Sequence, residues 1–180
     1  MPLDFSLPAP AVDVKAVVPV EEWEARVELA ALYRLAARHD MTDLGGTHFS
    51  MRVPGPEHHF LINPYGLLFE EVTASNLVKI DTDGNIVLDN GFEVNPAGFT
   101  IHSAIHMARE ELICVAHTHT VAGMGVSCLK IGLLPMTQHS LRFHNRLAYH
   151  DWEGPATNLD ERERLVQDLG THNNMILRNH

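Results

Sequence analysis

The sequence predicts a layered α/β fold. Apolar segments of strand length alternate with segments of helical periodicity, which stacks helices against a sheet. Connections of hairpin length in the first half make part of that sheet antiparallel. A third observation marks where chemistry is expected: the apolar run from Leu112 to Ala116 leads directly into His117-Thr118-His119. On a strand, residues i and i+2 share a face about 7 Å apart, close enough for two imidazoles to converge on one metal ion.

The bulk composition sets the outer bounds. With 180 residues, 45% of them apolar and 20% charged, the chain has the size and balance of a globular domain with its own core. No run approaches the ~20 apolar residues of a membrane span. The start, Met1-Pro-Leu-Asp-Phe-Ser6, lacks the basic and apolar regions of a signal peptide. Cys114 and Cys128 lie in apolar segments, read as buried hydrophobes, and define no disulfide framework, so the expected compartment is the cytoplasm. A formal net charge of −10 excludes functions that need a basic surface, such as nucleic-acid or anionic-membrane binding. Thirteen histidines, as many as Lys and Arg together, are the compositional oddity.

Residues 1–20, with Pro2, Pro8, Pro10 and Pro19, read as an extended or disordered arm. From Glu21 to His39 a helix is expected, with Glu21, Glu22 and Glu24 at its positive end and an apolar stripe of Trp23, Val27, Ala30, Ala31 and Leu35. Asp43-Leu-Gly-Gly46 ends that pattern. Strands His48–Val53 and His59–Ile62 follow around Pro54-Gly-Pro56, then a brief helical turn over Thr73–Asn76. The strands Leu77–Ile80 and Ile86–Leu88 flank Asp81-Thr-Asp-Gly84, a tight-turn sequence. Phe99–Arg109 reads as a helix, Ile113–His119 as a strand and Ala122–Leu129 as a second helix. The stretch Met136–Thr157 yields only short strands and loops. Asn158 is placed as the cap of a helix through Leu169, and Met175–Leu177 opens a last strand.

Four further histidines compete to join His117 and His119: His102 and His106, which share a helix face at i, i+4, and His139 and His180 beside apolar segments. His106 reads as a core histidine. Tyr149 and His144 are candidate proton donors in the loop-rich stretch. Gly123-Met-Gly125 lacks the third glycine of a dinucleotide fingerprint, and Glu70-Glu71 reads as a solvated turn.

Three ordered motifs, Asn63-Pro-Tyr-Gly-Leu-Leu-Phe-Glu-Glu-Val-Thr-Ala-Ser-Asn-Leu77, Ala97-Gly-Phe-Thr-Ile-His-Ser-Ala-Ile-His106 and Ala116-His-Thr-His-Thr-Val-Ala-Gly123, resemble the class II aldolase/adducin family, fuculose-phosphate aldolases included. The likeness runs from about residue 25 to the end. It implies a three-layer α/β/α sandwich with a mixed, largely antiparallel central sheet, assembled as a homotetramer with sites between subunits. On this pattern residues 21–180 form the family domain without the C-terminal elements that relatives carry.

The resemblance also implies a divalent metal, most simply Zn2+ with Fe2+ and Mn2+ as alternatives, held by His117, His119 and His180. His180 stands where the family has the histidine of an Asn-His-Gly motif. His102 occupies the position of the aldolases' acid/base glutamate, so it is expected as a fourth ligand or an acid/base partner. The family's phosphate-binding loop is replaced by Thr47-His48, Tyr65-Gly66 and Thr100-Ile101. The expected function is a metal-dependent lyase working through a metal-stabilised enediolate, by aldol cleavage or decarboxylation, on a small, non-phosphorylated hydroxy- or oxo-acid. Its catalytic residues are expected to be His102, Tyr149 and His144. The alternatives are a non-haem iron oxygenase acting on an aromatic 2-oxo acid and a non-catalytic, adducin-like oligomerisation or interaction domain.

Overall fold

A computed structural model describes residues 9–94, 96–154 and 159–180. Strands β1 (His48–Arg52), β2 (Phe60–Ile62), β3 (Val78–Ile80), β4 (Ile86–Leu88) and β5 (Cys114–His117) form an antiparallel sheet in the order β4-β3-β2-β1-β5. The first four strands meander through hairpins. The fifth returns to the opposite edge after a helix, α3 (Pro96–Ala108), and pairs with β1 so that His48 stands opposite His117. Among the described residues, parallel pairing is confined to a separate two-stranded sheet of β6 (Ala148–His150) and β7 (Met175–Leu177), joined through helix α6 (Glu161–Leu169). The helical elements α1 (Val14–Val17), α2 (Val20–Arg38), α4 (Val121–Ser127) and α5 (Gln138–Leu141), with a 3-10 turn at Phe69–Glu71, complete the regular structure of the described residues.

Alternation along the strands builds two cores. Phe49, Met51, Val53 and Leu61 point to α2 and meet Leu29 and Tyr33. On the opposite face Phe60, Ile62, Val78 and Ile80 pack with Phe92, and α3 covers that side, joined to α6 through Ile101, Ile105, Leu165 and Leu169. The sheet therefore lies between helices, in the α/β/α layering expected. No helix among the described residues is long and apolar enough to cross a membrane.

Of the expected apolar stripe of α2 only Ala30 enters the core: Val27, Ala31 and Leu35 are exposed and Trp23 is half-buried, while Glu22, Ala25, Arg26, Leu29, Tyr33 and Ala36 are buried. The polar residues on that face carry their own partners, which is why it can go inside. Arg26 pairs with Glu22 at 2.9 Å and donates to the Leu77 carbonyl at 2.8 Å, and Lys79 on β3 reaches Glu22 at 2.7 Å. The Tyr33 hydroxyl accepts from the backbone N–H groups of Phe49 (2.8 Å) and Asn63 (3.1 Å), where β1 and β2 diverge beyond their last paired residues. One side chain thus caps two strands that have run out of ladder.

Other local expectations shift. Residues 1–8 of the N-terminal arm lie outside the described residues. In the remainder Val14–Val17 forms a helical turn with Val14 fully buried, and Ala11 N–H donates to the Asn90 carbonyl, so this part is docked rather than extended. Asn158 also lies outside the described residues, and α6 begins at Glu161. Both cysteines are exposed rather than buried. Cys114 sits on β5, the sheet's edge strand, where one flank has no strand neighbour among the described residues.

Removing Glu22 strands the buried Arg26 charge. Glu22→Ala is expected to lower stability by about 3–5 kcal/mol, read from urea unfolding. A loss below about 1 kcal/mol would show that the pair does not hold α2 to the sheet.

Candidate metal centre

β5 ends at His117, and Thr118 carries the chain out of the sheet to His119. Thr120 then caps α4, its hydroxyl accepting from Gly123 N–H. β7 runs to Leu177, after which Asn179, at φ 57°, turns the backbone and delivers His180 to the same place. Ser127 at the end of α4 fixes that turn by accepting from Asn179 N–H at 3.1 Å. Two strand ends and one helix thereby place three imidazoles together.

Their nitrogens converge. His117 Nε2 lies 2.9 Å from His119 Nε2 and 3.1 Å from His180 Nε2, and the three donor atoms fall within 4.8 Å of one another. Nitrogens bound tetrahedrally to one zinc ion stand about 3.3 Å apart, so only small adjustments separate this arrangement from a coordination sphere. Burial, followed by the neighbouring His48, His180 and His119, pushes His117 down to about 2. His180 is lowered by burial and then by His119. Both imidazoles are held neutral, the state in which nitrogen offers a lone pair to a cation. Asp43, on the loop after α2, accepts a hydrogen bond from His119 Nδ1 at 2.8 Å. The donor set thus fits a divalent metal. A cavity of about 170 Å³ opens beside it, lined by His117, His119, His180, Gly123, Met124 and Ser127 among others, with no Lys or Arg in its wall.

His102 is not among the convergent nitrogens. It is fully buried under β1, with Nε2 2.8 Å from His48 Nδ1 and Nδ1 2.6 Å from Ser50 Oγ. Both ring nitrogens are therefore occupied by protein partners, which corrects its expected place as a ligand. Ser50 Oγ also meets His106 Nε2 at 2.8 Å, and the His48 ring stacks on His117 with centroids 4.9 Å apart. A column of buried imidazoles, His106, His102 and His48, thus rises to the back of His117. Burial, then adjacent histidines, holds His102 well below its ordinary value and His48 at about 3. His106 falls to about 4 through burial and then the Arg52 charge.

Tyr149 and His144 line a different cavity, of about 220 Å³, with Leu133 and Phe143. The Tyr149 hydroxyl accepts from Leu133 N–H at 2.8 Å, and the Arg178 guanidinium lies 4.3 Å over its ring. Neither residue touches the histidine cluster within this chain. His139 is exposed on α5. Asp43, His48 and Ser50 were not legible as site residues, although β1 held a signal: His48, Ser50 and Arg52 share one face of a strand whose other face is apolar.

An antiparallel sheet between helices, with three histidines converging at the strand ends, defines an α/β protein with a candidate metal-ligating cluster among its described residues. Residues 27–180 match the family described as "Class II Aldolase and Adducin N-terminal domain". The chain belongs to the class II aldolase/adducin family. It is 57% identical over 171 residues to a Caulobacter vibrioides protein named, without a stated substrate, as an aldolase class 2 protein, covering 95% of this chain and 66% of that one. It therefore spans just under two thirds of that relative's length. Rat alpha-adducin is 45% identical over 159 residues, covering 86% of this chain and 21% of the adducin. The crystal structure of an aldolase II superfamily protein from Pseudomonas syringae superposes with a TM-score of 0.90 at 61% identity, covering 93% of this chain and 68% of that one.

The buried column predicts a pH dependence. The histidines titrate near 6.5 when unfolded and lower when folded, so on acidification the unfolded chain takes up protons first. Stability is full above about pH 6.5 and is lost as pH falls towards 4, where His106 protonates in place. His106 alone accounts for a loss on the order of 3 kcal/mol across that window. Urea midpoints of metal-free protein at pH 7.5 and pH 5 check this, and equal midpoints would contradict it.

Proposed function

We propose that this chain is the metal-binding core of a lyase that cleaves a small, non-phosphorylated hydroxy- or oxo-acid by aldol cleavage or decarboxylation. The observation that carries the reading is the convergence of three imidazole nitrogens on a cavity with no cationic wall. His117, His119 and His180 would hold the divalent ion, with Zn2+ the first candidate for an all-imidazole donor set. Such an ion supplies Lewis acidity towards adjacent hydroxyl and carbonyl oxygens.

The remaining features concern the chain's own residues. A phosphate group calls for Arg, Lys or clustered N–H donors, whereas the cavity wall offers Gly123, Met124 and Ser127, and the Ser127 hydroxyl already donates to the Met124 carbonyl. This favours a substrate that binds through its carboxylate and neighbouring oxygen instead. Because His102, Tyr149 and His144 stand away from the cavity, we assign the acid/base group to a neighbouring copy in a homotetramer. The exposed apolar side chains of Val121, Ile131 and Met136 support that assembly.

The likeness to alpha-adducin favours a second reading, an interaction domain that performs no chemistry. Metal analysis and turnover separate the two. The lyase reading expects stoichiometric divalent metal in the purified protein, lost in His117→Ala, and release of an aldehyde or carbon dioxide from one of a panel of 2-hydroxy and 2-oxo acids. Substoichiometric metal that His117→Ala leaves unchanged would sink it. Bound metal with no turnover across the panel would favour the interaction domain.

A further inference from the structure

His119 is not fixed by strand pairing in the way that His117 is. It lies two residues beyond the end of β5, outside the backbone ladder that fixes His117. What holds its ring comes from elsewhere in the chain, the loop between α2 and β1. Asp43 Oδ2 stands 2.8 Å from His119 Nδ1 across 76 positions of sequence. A carboxylate only accepts, so the imidazole proton is fixed on Nδ1 and the Nε2 lone pair is left facing His117.

The loop is shaped for that contact. Its backbone enters the left-handed region at Asp40 (φ 53°) and Leu44 (φ 45°), conformations that non-glycine residues adopt at a cost. Gly46 N–H donates to the Asp43 carbonyl at 2.7 Å, and Asp43 N–H donates to the hydroxyl of the fully buried Thr47 at 3.4 Å. A Cβ on Gly46 would stand 3.3 Å from His119 Cε1, so the backbone itself passes against the imidazole. Thr47 leads straight into His48, the residue paired with His117. The loop and the ligand strand are thus anchored on the same pair of strands, and the distance from Asp43 to the cluster is set by the sheet.

We propose that Asp43 is a positioning residue of the metal centre: it fixes the tautomer and orientation of His119 and so sets metal affinity without touching the ion. This rests on the metal-binding reading above. Carboxylates placed behind ligating histidines typically contribute 10–100-fold to metal affinity. Asp43 has a half-exposed side chain and no other side-chain contact among the described hydrogen bonds, so its removal need not disturb the fold.

The test measures Zn2+ affinity by competition with a chelator, together with the visible spectrum of the Co2+-loaded protein, for the parent chain and three variants. Asp43→Ala is expected to weaken zinc binding by roughly 10–100-fold and to alter the cobalt spectrum. Asp43→Asn, which keeps an acceptor but not the charge, should fall between parent and Asp43→Ala. Asp40→Asn removes a nearby charge outside the contact and should bind as the parent does. Thermal midpoints of the metal-free proteins should coincide. Parent-like zinc affinity in Asp43→Ala, or equal weakening in Asp40→Asn, would overturn the assignment of Asp43 and leave the metal centre standing. A parent chain that takes up no zinc would overturn both.

Discussion

The pairing of β1 with β5, with His48 opposite His117, is the constraint on which the site depends. Residues directly opposite in an antiparallel pair share a face of the sheet, so this register alone places a buried imidazole behind the central member of the cluster. A slip of one residue would exchange His48 for the apolar Phe49 and turn His117 to the other face. The rest of the fold defends that register. Tyr33 caps β1 where it leaves β2, the Glu22–Arg26–Lys79 ion network seats α2 against the sheet, and α3 backs β1 with His102 and His106.

A single feature accounts for nearly half of the histidines. Six of the thirteen histidines, at positions 48, 102, 106, 117, 119 and 180, form one connected group running from beneath the sheet to the cavity. Burial keeps most of its members uncharged, which is costly for stability in acid and useful for holding a cation at neutral pH. The same group holds His102 away from the cavity where its sequence position implied an acid/base residue. His102 is fully buried with both nitrogens bonded to His48 and Ser50, and it does not line the cavity.

Much of this was legible in the sequence, for physical reasons that differ from element to element. The strands and α3 follow from local periodicity and turn chemistry, and the structure reproduces them within a few residues. His117, His119 and His180 could be grouped because a strand end and a recognisable motif each carry their own local signal. The buried face of α2 could not be read, because periodicity counts apolar residues and this face is completed by a Glu–Arg pair whose partners, Leu77 and Lys79, lie some 50 positions away. Asp43 was equally hidden: its contact with His119 is made by tertiary placement of a loop, and a loop aspartate looks like any solvated turn residue until the sheet brings the two together.

The central claim is that His117, His119 and His180 hold one metal ion while His102 and His48 stay behind it. An anomalous-scattering map, recorded at the zinc edge from crystals of the zinc-loaded protein soaked with a 2-oxo acid, tests this most directly. The account predicts one peak with these three Nε2 atoms as its protein ligands, His102 still bonded to His48 and Ser50, and the acid's oxygens in the remaining positions. A peak ligated by His102, or one lying away from the three imidazoles, would contradict it.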